Sequence, residues 1–285
     1  MTSSEYPVVL TLEGTEAGND EIVDANVSVV NTMYQELLNS GEIAPNALRS
    51  YFVDFYVTQS LGGGFAQYVF TAPEREELDT YVRDGLEGMG ATAHLELFNR
   101  AAAAFDSLAD EEADIYLDGE WDAESDGELP EAVQAMEDLD AEFESLLETE
   151  DVTGLNAAWL RGQEGLLVLS EVELTAHIAM RVAQIPDLDE RRAEAAEEAL
   201  DNAPEFEVII RELCGVAGHA LQKITMGDPN YEHNGETVLA WHFSTDHGDF
   251  LMIEEDDEAF MLNPETKEIV AAVEFEEVDE DLVDA

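Results

Sequence analysis

Two histidines and two aspartates lie close together near the carboxyl end of the chain: His242, Asp246, His247 and Asp249. Imidazole nitrogens and carboxylate oxygens are ligands of zinc and other transition metals. On a strand, His242 and Asp246 would share one face of the sheet, with His247 in the following turn. Because no other residue completes a ligand set, we predict no metal, no cofactor and no catalytic residue. A metal-dependent or other hydrolase that uses the His242–Asp249 hairpin is the alternative.

Carboxylates are concentrated in the middle of the chain. Residues 101–160 contain 20 acids and no base, whereas residues 46–100 contain eight acids and four bases. Helix side chains at positions i, i+3 and i+4 stand about 5–6 Å apart at Cβ, so an acidic helix face can take the place of a row of DNA phosphates. We therefore predict a surface that binds a basic, DNA-binding protein. Its candidate residues are Asp110, Glu111, Glu112, Asp114, Asp118, Glu120, Asp122, Glu124 and Asp126.

The whole chain is strongly acidic. Its 285 residues include 68 Asp and Glu against 11 Lys and Arg, which gives a formal net charge of −57 at pH 7. Such a charge repels nucleic acids and anionic membranes and attracts basic proteins, so we predict neither direct nucleic-acid binding nor membrane binding. Acids spread through nearly every segment, with few lysines, are also typical of proteins from salt-loving organisms. A regulatory or housekeeping domain whose acidity is only salt adaptation is therefore a second alternative.

The cysteine content and the apolar runs indicate the compartment. The single cysteine, Cys214, excludes an internal disulfide and fits a reducing environment. It lies in an apolar run, which predicts a buried, unreactive thiol. The first residues lack the basic start of a signal peptide, and no apolar stretch approaches the roughly 18 residues of a membrane helix. We expect a cytoplasmic protein.

Three consecutive glycines at 62–64 interrupt an apolar helical pattern. Glycine loses more conformational entropy on folding than any other residue, so a glycine run at this place needs a geometric reason. We predict a tight corner between two helices. Phe65, Tyr68 and Phe70 would pack into the core beside it, and Gln67 would hold the corner by a hydrogen bond.

The hydrophobic periodicity predicts a mainly α-helical fold of the α+β class, in which helices are followed by a small sheet. A short strand at Tyr6–Leu12 precedes a continuous series of helices. A second helical block ends with a helix at Phe206–Ile224, after which the pattern changes to that of a small antiparallel β meander. Its four predicted strands are Thr237–Thr245, Asp249–Glu254, Ala259–Leu262 and Ile269–Phe275.

The predicted organisation has four parts, with the first domain boundary at Gly162–Gly165. They are an N-terminal strand or extension over 1–20, a helical domain over 21–162, helices plus the four-stranded sheet over 163–277, and an acidic tail over 278–285.

Three short motifs in the helical domain occur in a known order and spacing. They are Gly63-Gly64-Phe65-Ala66-Gln67-Tyr68, then Gly90-Ala91, then Leu139-Asp140-Ala141-Glu142-Phe143. Over about residues 25–162 the chain thereby resembles an uncharacterised domain family named after the C-terminal domain of a bacterial DNA-mimic protein. Two asparagines of the family pattern are replaced, by Gly62 and Thr71. The resemblance implies a mostly helical fold, and it implies mimicry only through the member that gave the family its name.

Together these observations favour a non-enzymatic protein-interaction module. The resemblance and the acidic run lead to the hypothesis of a DNA mimic that occupies a basic DNA-binding protein. The sequence leaves a homodimer open and does not identify the partner.

Overall fold

The structure, a computed structural model, describes residues 6–72, 74–119, 128–255 and 257–274. The predicted mainly helical fold with a C-terminal antiparallel meander is confirmed. The chain divides into two compact units between Leu188 and Asp189. The predicted boundary at Gly162–Gly165 lies inside the first unit.

The first unit is a set of helices with one small parallel sheet. In this sheet, Val9 of the predicted N-terminal strand lies opposite Leu167. The second strand, which contains Leu167, was not predicted from the sequence. Its elements are β1 (Val9–Thr11), α1 (Leu12–Glu16), α2 (Asn19–Gln35), α3 (Pro45–Thr71), α4 (Arg75–Met89), α5 (Thr92–Phe105), α6 (Asp110–Asp118), α7 (Glu131–Leu147), α8 (Val152–Arg161), β2 (Leu167–Leu169) and α9 (Glu171–Val182).

An aromatic cluster forms much of the core where α3, α5 and α7 meet. Tyr56 contacts Phe98 at a ring separation of 4.9 Å and Tyr68 at 5.4 Å, in edge-to-face arrangements. Such pairs add stability beyond the area that they bury. Phe65 and Tyr68 are buried here as predicted, but the prediction for Phe70 was wrong, because its side chain is 79% exposed. Phe70 follows Tyr68 by two positions, about 200° around the helix, so it points away from the core.

The second unit is a five-stranded antiparallel sheet with a helix on one face. Ile210, Leu213 and Cys214 of the covering helix are buried against Met252 and Met261 of the sheet. Burial raises the pKa of the Cys214 thiol, as expected for an unreactive cysteine. The elements are α10 (Leu188–Asp201), α11 (Glu205–Ala217), β3 (Leu221–His233), β4 (Glu236–Thr245), β5 (Gly248–Glu255), β6 (Glu258–Leu262) and β7 (Ile269–Glu274).

The sheet has one strand more than the sequence predicted. The missed strand, β3, includes residues that the sequence assigned to the end of a helix. That helix, α11, in fact ends at Ala217 and is capped by Gly218, whose φ is 72°. β3 lies at the edge of the sheet, and its pairing with β4 is shifted between Asp228 and Tyr231, around Pro229. Edge strands and bulges are the places where a strand tolerates proline. Gly227-Asp228-Pro229, which are typical of a turn, therefore lie within a continuous strand.

No helix in the part of the chain that the structure describes combines the length and the apolar character needed to cross a membrane.

Candidate functional site

The glycine run forms a break inside α3. Gly63 has φ of −171° and ψ of 38°, and Gly64 has φ of 67° and ψ of −167°. Only Gly64 adopts the left-handed φ that favours glycine. A Cβ atom on Gly64 would lie 2.5 Å from Oδ2 of Asp140. The corner predicted from the sequence therefore admits a carboxylate close to the backbone.

That carboxylate connects three helices. Asp140 of α7 accepts a hydrogen bond from the backbone N–H of Phe65 at 2.8 Å through Oδ1, and one from the hydroxyl of Tyr116 at 2.8 Å through Oδ2. The Tyr116 oxygen in turn accepts from the backbone N–H of Ala66 at 3.1 Å. We call Gly64, Phe65, Ala66, Tyr116 and Asp140 the corner node. It caps the helical turn after the break, where backbone N–H groups lack partners within the helix.

Burial controls the proton positions in the corner node. Burial raises the pKa of Asp140, an effect opposed by the hydrogen bonds from Phe65 and Tyr116. Burial also raises the pKa of Tyr116, and the neighbouring Asp140 charge raises it further. Tyr116 therefore stays protonated, and its hydroxyl donates a hydrogen bond to the Asp140 carboxyl group.

Gln67 and Tyr68 also make contacts near the break. Nε2 of Gln67 lies 3.5 Å from Oε1 of Gln59, a long hydrogen bond across the break. The Tyr68 hydroxyl donates to Oδ1 of the buried Asp79 at 2.9 Å, and Arg83 pairs with the other oxygen of Asp79 at 3.2 Å. The residues of the predicted glycine motif thus fix how α3 continues into α4.

The acids of α6 form a regular row on its exposed face. Asp110, Asp114 and Asp118 follow one another at four-residue intervals, and all three are exposed. Neighbours at this interval are separated by about 6 Å along the helix axis. Glu111 is also exposed, whereas Glu112 is half-buried and accepts a hydrogen bond from the backbone N–H of residue 109 at 2.9 Å. The predicted residues Glu120, Asp122, Glu124 and Asp126 lie outside the described residues.

α7 packs against α6 and carries further carboxylates that the list of candidate residues did not include. Among its exposed acids, Glu142 is paired with Arg100 of α5 at 2.9 Å. The remaining exposed acids of α7 are Glu131, Glu137, Asp138 and Glu144. The sequence signal for them was the absence of bases throughout residues 101–160.

The predicted hairpin cluster lies at the β4–β5 turn. Oδ1 of Asp246 accepts a hydrogen bond from the backbone N–H of Ala220 at 2.7 Å and contacts Nδ1 of His247 at 2.9 Å. The Ala220 bond is the main cause of a lowered pKa of Asp246. His247 stacks on His219 with ring centroids 4.2 Å apart. Within the described ranges, no three His, Cys, Asp or Glu side chains are grouped so that they could hold a metal ion.

Substituting Gly64 tests the geometry of the break. We expect Gly64→Ala to lower the free energy of unfolding by about 2 kcal/mol, because alanine pays a penalty at positive φ and its Cβ would displace the Asp140 carboxylate. Gly62→Ala is the matched control, since no atom lies within 4 Å of its Cβ position. Urea unfolding of both variants measures the difference; equal stabilities would contradict the proposed contact.

The geometry defines a helical, strongly anionic domain. Between residues 41 and 163, the regular elements that the structure describes are all helices. Many exposed carboxylates of this segment lie on α6 and α7, the two helices that the corner node links.

The same residues match a known family. Residues 41–163, somewhat less than half of the chain, match the family model described as DMP19-like protein, so this segment is similar to that family. The match confirms the resemblance inferred from the three short motifs, with a later start than the predicted residue 25. No curated protein and no solved structure matches the chain.

Proposed function

We propose that the first unit is a protein-interaction module that presents a DNA-like row of carboxylates to a basic, DNA-binding protein. The observation that carries the proposal is the exposed row Asp110, Asp114 and Asp118 within a DMP19-like segment. The acids of the neighbouring α7 extend the charged surface.

The charge density of α6, with Glu111 counted beside the row, suits such a partner. Four exposed acids on the nine residues of α6 amount to roughly one carboxylate per 3 Å of helix axis, at a rise of about 1.5 Å per residue. One strand of duplex DNA carries a charge every 3.4 Å or so along its axis. A groove-binding surface with regularly placed Arg and Lys would therefore meet carboxylates at a density similar to that of phosphates.

The corner node supplies the rigidity that mimicry needs. Tyr116 lies on the inner face of α6 and joins it to α3 and α7 through Asp140 and Ala66. Fixing the carboxylates before binding reduces the entropy lost on association. Exposed acids that served only for hydration in a salt-rich cell would have no need of such an anchor.

Competition with DNA tests the proposal. We expect a basic protein that is captured from the host lysate on the immobilised full-length chain to be released by duplex DNA. It should also bind much more weakly at about 0.5 M salt than at about 0.1 M salt, because the Debye length falls below its value of about 10 Å at 0.1 M. Polyglutamate at equal charge is the control competitor and should release it poorly.

The alternatives give other results. Release by DNA and polyglutamate alike would indicate general charge attraction and contradict mimicry. Loss of the native fold at low salt, without any captured protein, would favour salt adaptation as the origin of the acidity.

A further inference from the structure

The hairpin between β3 and β4 ends in the dipeptide Asn234-Gly235. His233 pairs with Glu236 across the ladder, so the loop contains only these two residues. Asn234 has φ of 51° and Gly235 has φ of 90°, the positive values that a two-residue type I′ turn requires at both positions. Both residues are exposed. The dipeptide suits the turn, but it also places two groups that can react with each other in adjacent, solvent-accessible positions.

The reaction joins the backbone of Gly235 to the side chain of Asn234. The Gly235 nitrogen loses its proton and attacks Cγ of Asn234, which closes a succinimide ring and releases the side-chain nitrogen as ammonia. Water then opens the ring. Cleavage of the N–Cγ bond gives aspartate, whereas cleavage of the bond from the Asn234 carbonyl carbon to the Gly235 nitrogen gives isoaspartate. Glycine favours the attack because it has no Cβ to hinder it, and water is the only co-reactant.

The end of this hairpin is held by few strand pairs. β3 is an edge strand of the sheet, and the pairing of β4 with β5 begins only at Ala240. Residues 232–237 are therefore paired in the ladder only with one another. A two-stranded ribbon is marginally stable in water, and its local opening costs less free energy than global unfolding. The backbone rotation that ring closure requires at Asn234 therefore needs no unfolding of the second unit.

The other asparagines of the second unit are poor sites by the same criteria. Asn263 precedes Pro264, whose nitrogen carries no hydrogen and cannot attack. Asn202 and Asn230 are each followed by a residue with a Cβ atom, which hinders the approach of the backbone nitrogen. Reactivity is thereby confined to the turn.

We propose that Asn234-Gly235 is a deamidation site, at which the folded protein converts Asn234 to aspartate and isoaspartate. Isoaspartate carries the chain through Cγ, which adds one backbone atom to a two-residue loop and disrupts the pairing of His233 with Glu236. Either product adds a negative charge beside the exposed Glu236. This change in the second unit is independent of the partner surface proposed for the first unit.

Mass spectrometry of proteolytic fragments, after incubation of the folded full-length protein at mildly alkaline pH, measures the conversion. We expect the fragment with Asn234 to gain the mass that replacement of an amide by a carboxyl group adds, severalfold faster than fragments with Asn230 or Asn263. Gly235→Ala should slow the conversion severalfold. Because alanine is strained at positive φ, both chains are also compared in urea, where the fold has no influence.

Three outcomes would overturn the inference. They are conversion of Asn234 in urea but not in the folded protein, equal conversion of Asn230, and an unchanged rate in Gly235→Ala in urea. Hydrogen exchange tests the structural consequence separately. Residues 232–237 should exchange faster in the converted protein but not in Asn234→Asp, which adds the charge without the extra backbone atom; equal exchange in both would show that the turn tolerates isoaspartate, contrary to the proposal.

Discussion

Asp140→Ala should lower the free energy of unfolding by about 3 kcal/mol, the largest loss that we expect from one substitution. Loss of a helix cap costs roughly 0.5–2 kcal/mol. In addition, the Phe65 N–H and the Tyr116 hydroxyl lose their shared acceptor, and leaving such groups buried without a partner costs about 1–3 kcal/mol. Chemical denaturation followed by circular dichroism measures the change.

Two further variants separate the cap from the charge. Asp140→Asn retains an oxygen for the Phe65 N–H and should cost clearly less than Asp140→Ala. Tyr116→Phe should cost about 1 kcal/mol, because it removes one partner each from Asp140 and Ala66. If all three variants unfolded like the wild-type protein, the corner node would not stabilise the fold.

The pH dependence provides an independent check on Asp140. Burial raises its pKa above the unfolded value, so the folded state binds a proton more readily than the unfolded state over the interval between the two pKa values. The contribution of Asp140 to the free energy of unfolding therefore rises as the pH falls through its folded-state pKa. Asp140→Asn should lack this contribution, which a comparison of unfolding curves below neutral pH reveals.

Neutralising the acidic row of α6 should weaken partner binding and leave the fold intact. We expect the triple variant Asp110→Asn, Asp114→Asn and Asp118→Asn to lose about tenfold in affinity for the captured basic partner at low salt, since exposed ion pairs contribute roughly 0.2–1 kcal/mol each. The slope of log K against log salt should decrease by about two to three, because fewer counterions are released. Titration at several salt concentrations measures both quantities.

The second unit offers a matched control. Glu190, Glu194 and Glu198 of α10 are exposed and follow the same four-residue interval. Changing these three to Gln alters the net charge by the same amount on a helix outside the DMP19-like segment. If this variant weakened binding as much as the α6 variant, the partner would be responding to total charge, and the proposed surface would be wrong.

Local patterns in the sequence were sufficient for much of the architecture. Helical periodicity, glycine and proline breaks and the change to strand alternation depend on neighbouring residues, so they predicted the helices and four of the strands. β3 was missed because Gly227-Asp228-Pro229 reads as a turn, whereas pairing with β4 over a shifted register keeps the segment extended.

The sequence by itself determined that the middle of the chain would be anionic, that glycines would break α3, and that three short motifs resemble those of a known family. Only the tertiary structure decided how these features are connected. Asp140 lies 75 residues from Phe65 and 24 from Tyr116, and no local pattern brings such residues together. The direction of Phe70 was likewise decided by how α3 continues after the break, since hydrophobicity alone predicts burial whereas packing determines which side of a helix faces the core.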